Sequence, residues 1–177
     1  LVTQVHNGIL SCDEIAVNDP IKYHQYGRTL DKVEEIYMSK IYRKEMTQGI
    51  WIYGPTGVGK SHLAFENFTP ETHYVVPDDN GWWDNYRQQD IVIFNDYRGW
   101  IRYERMLELM DKYPTEVKRR GRPPLPFTSK MIIITSSLPP WKIYQNRNEE
   151  DSLDQLKRRC EIRIMESKGK WKKLKFN

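Results

Sequence analysis

The chain has 177 residues, 38% of them apolar and 29% charged, with a formal net charge of +4. That length supports one good hydrophobic core with a small helical appendage. No apolar run approaches the about 18 residues a membrane helix needs, so the chain reads as soluble with no membrane partner. Cys12 and Cys160 lie far apart, with neither a Cys-x-x-Cys pair nor a histidine cluster, which argues against structural zinc or a disulfide framework and fits a reducing compartment. The first residue is Leu1 and no apolar leader follows, so the sequence is read as a fragment of a longer protein. Lysines and arginines gather in Lys118–Arg122, Lys157–Arg163 and Lys168–Lys175, a pattern that suits polyanion contact or a solvated face.

Residues 1–48 contain no strand-like run. Within them, Asp31 to Met46 places Val33, Ile36, Tyr37 and Ile41 at helical spacing, with Asp31 near the N-cap, so one or two helices are expected. From Gly49 onward short apolar strands alternate with helices and loops. The strand candidates are Ile50–Tyr53, His73–Val76, Ile91–Asn95, Met131–Thr135 and Glu161–Glu166. Between them a helix is expected over Arg102–Tyr113, with Met106, Leu109, Met110 and Tyr113 on one stripe, and a shorter one over Ser152–Arg159. Alternation of this kind predicts an α/β fold around a parallel sheet covered on both faces. Lys168 to Asn177 reads as the second strand of a hairpin or as a basic tail.

The chemistry concentrates after the first strand. Gly54, Pro55, Thr56, Gly57, Val58, Gly59, Lys60 and Ser61 form a G-x-x-x-x-G-K-S loop, followed by His62 and a helix expected to run to about Phe68. Glycines let successive N–H groups converge on one phosphate cluster, Lys60 reaches β and γ oxygens, and the Ser61 hydroxyl can ligate Mg²⁺. The pattern therefore predicts a nucleoside triphosphate, ATP with Mg²⁺, as ligand. A second strand must then supply a carboxylate. Ile91-Val-Ile-Phe ends in Asn95 and Asp96, and Asp96 is the expected Mg²⁺ and water carboxylate, Asn95 being able to orient water without bringing charge. Ser137, at the polar tip of the Met131 strand, is the candidate γ-phosphate sensor. Arg158 or Arg159 is the candidate arginine donated to a neighbouring subunit's site.

Taken in order, these pieces resemble the superfamily 3 helicase domain of circovirus-type replication initiator proteins. The resemblance covers roughly Gly49 to Glu166. It rests on the Gly54–Ser61 loop, the run Gly81-Trp82-Trp83-Asp84-Asn85-Tyr86, Asp96-Tyr97-Arg98-Gly99-Trp100, Asp111-Lys-Tyr-Pro114, Val117-Lys-Arg-Arg-Gly121, Pro126-Phe127, the Ile-Ile-Ile-Thr-Ser strand and Leu156-Lys-Arg-Arg159. It implies a P-loop NTPase of modified AAA+ type, with a parallel five-stranded sheet of order 5-1-4-3-2, assembled as a hexamer with ATP between subunits and single-stranded DNA in the central channel. It also implies that Lys118, Arg119, Arg120 and Arg122 track the DNA backbone, that residues 1–48 promote oligomerisation beside a 49–177 ATPase domain, that a nicking endonuclease domain precedes the chain in the full protein, and that the protein works in the host nucleus. Asn95 and Ser137 depart from the family pattern, which has the first of two aspartates and an asparagine at these places. Tyr37-Met-Ser-Lys40 matches a nicking motif only in letters, since it falls in an amphipathic helix with no His-x-His upstream. Alternatives are a nucleotide-gated oligomerisation or DNA-binding module with weak or no hydrolysis, a superfamily 3 ATPase of RNA viruses, and a small-molecule P-loop phosphotransferase.

Overall fold

The computed structural model describes residues 1–78, 81–148, 150 and 152–176, and divides into two compact units, Leu1–Tyr42 and Arg43–Asn177. Asn177, the end of the expected basic segment, lies outside the described residues.

The first unit holds three helices, α1 (Val2–His6), α2 (Cys12–Asn18) and α3 (Pro20–Ser39). A capping box starts α2: the Ser11 hydroxyl accepts from the Glu14 amide while Glu14 reaches back to the Ser11 amide. Asp19 caps α3, with Pro20 in the first turn, where its missing N–H costs nothing. The helix therefore begins eleven residues before the Asp31 start read from the sequence, and Asp31 lies mid-helix, accepting from the Tyr23 hydroxyl at 3.1 Å. Val5, Cys12, Ile15 and Leu30 form a small core of their own. Burial pushes the Cys12 thiol up to about 12, which keeps it protonated and unreactive. Tyr37 packs its ring where a Cβ on Gly8 would stand, a structural role for the tyrosine of the nicking-like tetrad.

In the second unit the central sheet runs β2-β3-β6-β1-β7-β8. Its strands are β1 (Gln48–Tyr53), β2 (His73–Val75), β3 (Ile91–Phe94), β6 (Met131–Ser136), β7 (Cys160–Ser167) and β8 (Lys170–Lys173). The first five strands in that order are mutually parallel, and β8 turns back antiparallel on β7. The sheet is thus mostly parallel and has six strands, one more than the sequence suggested. β1 and β6 sit centrally because their runs, Ile-Trp-Ile and Ile-Ile-Ile, can be covered on both faces. β7 instead opens with buried Cys160 and Ile162 alternating with Glu161 and Arg163, as a strand with one polar face does, before the pattern shifts at Met165. A separate hairpin, β4 (Glu116–Arg119) with β5 (Arg122–Pro126), occupies the stretch read as a loop. Pro123, Pro124 and Pro126 mask it in the sequence, and a two-stranded hairpin tolerates them because each strand has an unpaired edge.

The helices α4 (Lys60–Ala64), α5 (Tyr103–Leu109), α6 (Pro140–Ile143) and α7 (Leu153–Arg159) complete the unit. α5 stops four residues short of the expected Tyr113. Its last carbonyls, Glu108 O at 2.7 Å and Leu109 O, are taken by the buried Arg43 guanidinium, which also donates to Tyr113 O, beyond the helix, at 2.9 Å and to Thr47 Oγ1 at 2.9 Å. A cation at a helix C-terminus is favoured by the dipole as well as by these bonds. Arg43 and Thr47 accordingly belong to the second unit, so the unit boundary falls at 42/43 rather than 48/49. We expect Arg43→Ala to cost about 3 kcal/mol, because several buried carbonyls lose their donor at once. A urea titration checks this, and a loss below about 1 kcal/mol would mean that water replaces the guanidinium.

An aromatic cluster binds the hairpin to the β2–β3 edge. Trp83 lies within 5.9 Å, centroid to centroid, of Tyr74, Tyr86, Phe94 and Phe127. Trp83 N–H donates to Lys118 O at 2.8 Å. The tryptophan run is therefore packing that sets where the basic hairpin sits.

Candidate functional site: a phosphate loop facing a strand end

β1 leaves the sheet at Tyr53 and enters the glycine loop. At Gly54 a Cβ would stand 2.0 Å from the Met165 carbonyl oxygen, so the chain can cross β7 only with glycine there. Gly59, at φ 97°, caps α4 in a left-handed conformation. Val58 anchors the loop by packing with Ile50, Ile52 and Met165, while Pro55, Thr56 and Gly57 are exposed. The loop is thus rigidly seated and open at its tip. α4 is five residues long, shorter than the helix expected to Phe68. The chain turns after Phe65, with Asn67 at φ 61° and Phe65, Phe68 and His73 packed in series.

Lys60 Nζ spans the mouth of this loop, donating to Gly54 O at 2.8 Å and Pro55 O at 2.7 Å. Burial pulls its pKa below the ordinary lysine value, and the Asp96 carboxylate opposes that shift. His62 lies exposed on α4.

The other half of the site comes from the end of β3, two strands from β1 with β6 between them. Asn95 Oδ1 accepts from Ser61 Oγ at 2.8 Å and from Thr135 Oγ1 at 2.9 Å. The side chain joined to Ser61 is therefore Asn95. Asp96 lies beside it at φ 51°, its amide donating to Thr135 Oγ1 at 2.8 Å and its carboxylate 3.1 Å from the Arg98 guanidinium. Thr135 thus pins both residues, and the sequence reading passed over it. The signal was present but non-local: Phe94 pairs with Ile134 in the β3–β6 register, which places Asn95 next to Thr135. Ser137, one residue past β6, is exposed; its neighbour Ser136 is buried and bonded to Tyr97 O at 2.9 Å.

These residues fit Mg²⁺ and a triphosphate. Gly57 and Gly59 have positive φ with little standing where a Cβ would go, so the backbone can approach an anion. A hydroxyl, an amide oxygen and a carboxylate are hard donors of the kind Mg²⁺ takes alongside phosphate oxygens and water. Among the described residues no cluster of three or more histidine, cysteine, aspartate or glutamate side chains could hold a metal alone.

The basic candidates separate on inspection. Arg119 is buried, its guanidinium donating to Pro123 O at 2.9 Å. Arg120 at the hairpin tip donates to Asp84 through both its amide, at 2.8 Å, and its Nε, at 2.6 Å. Lys118 and Arg122 are exposed on the same hairpin. Of the arginine pair, Arg159 is held by Gln155 O at 2.9 Å and by Asp111 at 3.2 Å, whereas Arg158 is exposed. Arg158 lines an 830 Å³ cleft with Lys157, Lys173 and Lys175.

A protein-family model described as RNA helicase matches residues 50–138, from β1 to just past β6, and gives the class to which fold and loop point, a helicase and ATPase kind of enzyme. The replication-associated protein of Human associated cyclovirus 1 is 35% identical over 167 residues, covering 92% of this chain and 58% of that protein. That of Canary circovirus is 41% identical over 122 residues, 69% of this chain and 40% of the relative, and that of Beak and feather disease virus 39% over 132 residues, 75% and 44%. The chain belongs to this helicase family, as a helicase domain of the circovirus-like replication-associated kind. It spans 40 to 58% of the length of these relatives. Among solved structures, the apo C-terminal region of NrS-1 aligns with 93% of this chain and 37% of its own, at 15% identity and a TM-score of 0.39, too distant a likeness to carry an argument.

Proposed function

We propose that this chain is the ATP-dependent motor of a viral replication initiator, moving on single-stranded DNA by hydrolysing ATP at the subunit interfaces of a homo-hexameric ring. The observation that carries the reading is the 2.8 Å hydrogen bond from Ser61 to Asn95, which joins the phosphate loop to the end of β3. The order of the five parallel strands, β2-β3-β6-β1-β7, supports a modified AAA+ core. The amides of residues 57–61 and the Lys60 ammonium bind phosphate oxygens, Lys60 exchanging the Gly54 and Pro55 carbonyls for them. Mg²⁺, when bound there, would supply charge neutralisation at the phosphates. Ser61 and the Asn95–Asp96 corner would hold that ion, Asp96 would orient water, and Ser137, exposed one residue past β6, would sense the γ-phosphate. Arg158 of a neighbouring copy completes the site.

The β4–β5 hairpin, through Lys118 and Arg122 and with Arg120 restrained by Asp84, contacts the phosphate backbone without reading bases. Self-association is supported by the first unit, which exposes Ile9, Val17 and Ile21 at 70%, 80% and 72% of their surfaces. A nicking domain elsewhere in the full protein and a host-nuclear site of action complete the proposal. Phosphate release stimulated by single-stranded DNA, and much less by RNA of the same length, tests it; stimulation by RNA alone would move the chain to the RNA-virus reading.

Asn95 favours a second reading, a nucleotide-gated module that turns over slowly, because the residue touching Ser61 carries no charge. The two separate on one substitution. Asn95→Asp puts a carboxylate at 2.8 Å from Ser61 Oγ in an isosteric side chain, and should raise kcat about tenfold or more by adding charge beside Mg²⁺. Unchanged turnover would show that Asp96 already supplies everything the reaction uses.

A further inference from the structure

We propose that the β7–β8 turn is a second, cationic wall of the nucleotide site, in which Lys168 and Lys170 contact the phosphates bound by the glycine loop. This rests on the loop reading above and extends it to two residues outside the P-loop pattern.

The turn is fastened to the loop by its backbone. Gly169 N–H donates to Val58 O at 3.0 Å, the middle of the phosphate loop. Four residues earlier, on β7, Met165 runs against Gly54, and its side chain packs with Val58 in the same small core. The nearest atoms to a Cβ built on Gly59 are Met165 Cε at 3.9 Å and Gly169 N at 4.0 Å. β7 thus borders the loop at Gly54, and the turn after it borders the loop at Val58 and Gly59.

The charges on the hairpin are distributed unevenly. Glu161 takes Arg163 at 2.6 Å and Lys173 at 3.2 Å, and Glu166 takes Lys172 at 3.2 Å. Arg163 also covers the Trp171 ring at 4.1 Å. The hairpin's acids thus neutralise its stem, and Lys168 and Lys170, both exposed, are left without an ion pair among the described residues. Two uncompensated ammonium groups on either side of a glycine hydrogen-bonded to a phosphate loop are placed to meet the anion that loop binds. Lysine stems of four carbons are long enough to extend from the turn toward the exposed Gly57, and the turn's left-handed Gly169, at φ 74°, keeps the two residues on a tight reversal.

The test is a fluorescence titration of the whole chain with a fluorescent ATP analogue and Mg²⁺, in the absence of DNA. Lys168→Gln/Lys170→Gln should weaken binding about tenfold, and Lys168→Arg/Lys170→Arg should restore it. Single-stranded DNA affinity, measured in parallel, should stay within about twofold. Nucleotide affinity unchanged in the glutamine variant overturns the proposal, and a fall in DNA affinity alongside that result would assign the turn to the DNA path instead. Lys60→Ala measured in the same way separates this from the underlying reading: if it binds nucleotide as tightly as the unaltered chain, the loop reading itself fails and the hairpin assignment goes with it.

Discussion

Lys60→Ala will abolish ATP hydrolysis, lowering kcat/KM by at least about 10³-fold while leaving the fold intact. The reason is positional. Lys60 Nζ is held within 2.8 Å of two carbonyls at the loop mouth and is already partly desolvated, so its charge would meet phosphate oxygens at little reorganisation cost. Removing one preorganised charge at a transferring phosphoryl group costs roughly 10²–10³ in rate, and the lost ground-state binding adds to it. Thermal stability should change little, because Lys60 is only partly buried and one of its two partners, the Pro55 carbonyl, lies on exposed loop. A variant that hydrolyses ATP at more than about a tenth of the original rate would place the chemistry elsewhere.

Arg158→Ala and Arg159→Ala will fail in different ways. Arg158, exposed beside a basic cleft, should contribute across a subunit interface, so its loss lowers kcat by about 10³-fold with melting temperature unchanged. Arg159 is structural: it ties α7 to Asp111, and its alanine variant should lose about 1–2 kcal/mol of stability from the broken bonds. Mixing Arg158→Ala protomers with Lys60→Ala protomers provides the direct check. Each population is inactive alone, but a ring of both contains interfaces with an intact loop on one side and an intact arginine on the other, about a quarter of the total. Recovered hydrolysis in the mixture shows action in trans. Equal kcat losses for both arginines, each with unchanged stability, would refute the division of roles.

How much of this was legible in the sequence follows from how local each signal is. The glycine loop is contiguous, so a curled backbone could be read from its spacing alone, and Gly54, Gly57 and Gly59 all take positive φ. The parallel strands were legible because β1, β3 and β6 are apolar runs long enough to be covered on both faces. Features that depend on residues far apart in the chain were not. Arg43 ends α5 from 65 residues away, and no local pattern in Tyr103–Tyr113 announces it. Thr135 holds Asn95 and Asp96 from a neighbouring strand, and this register also turns Asn95, rather than Asp96, toward Ser61. Hairpin β4–β5 was hidden by three prolines. In the first unit the signals were local and were passed over: Ser11 with Glu14, and Asp19 before Pro20, are ordinary helix starts.

A structure of the chain with Mg²⁺ and a slowly hydrolysed ATP analogue is the most direct measurement. The account predicts phosphates against the amides of residues 57–61, the metal ion bound to Ser61 Oγ with Asn95 and Asp96 around its water shell, and Arg158 of an adjoining copy approaching the γ-phosphate. Nucleotide bound away from this loop, or a metal ion coordinated without Ser61 and the β3 end, would contradict it.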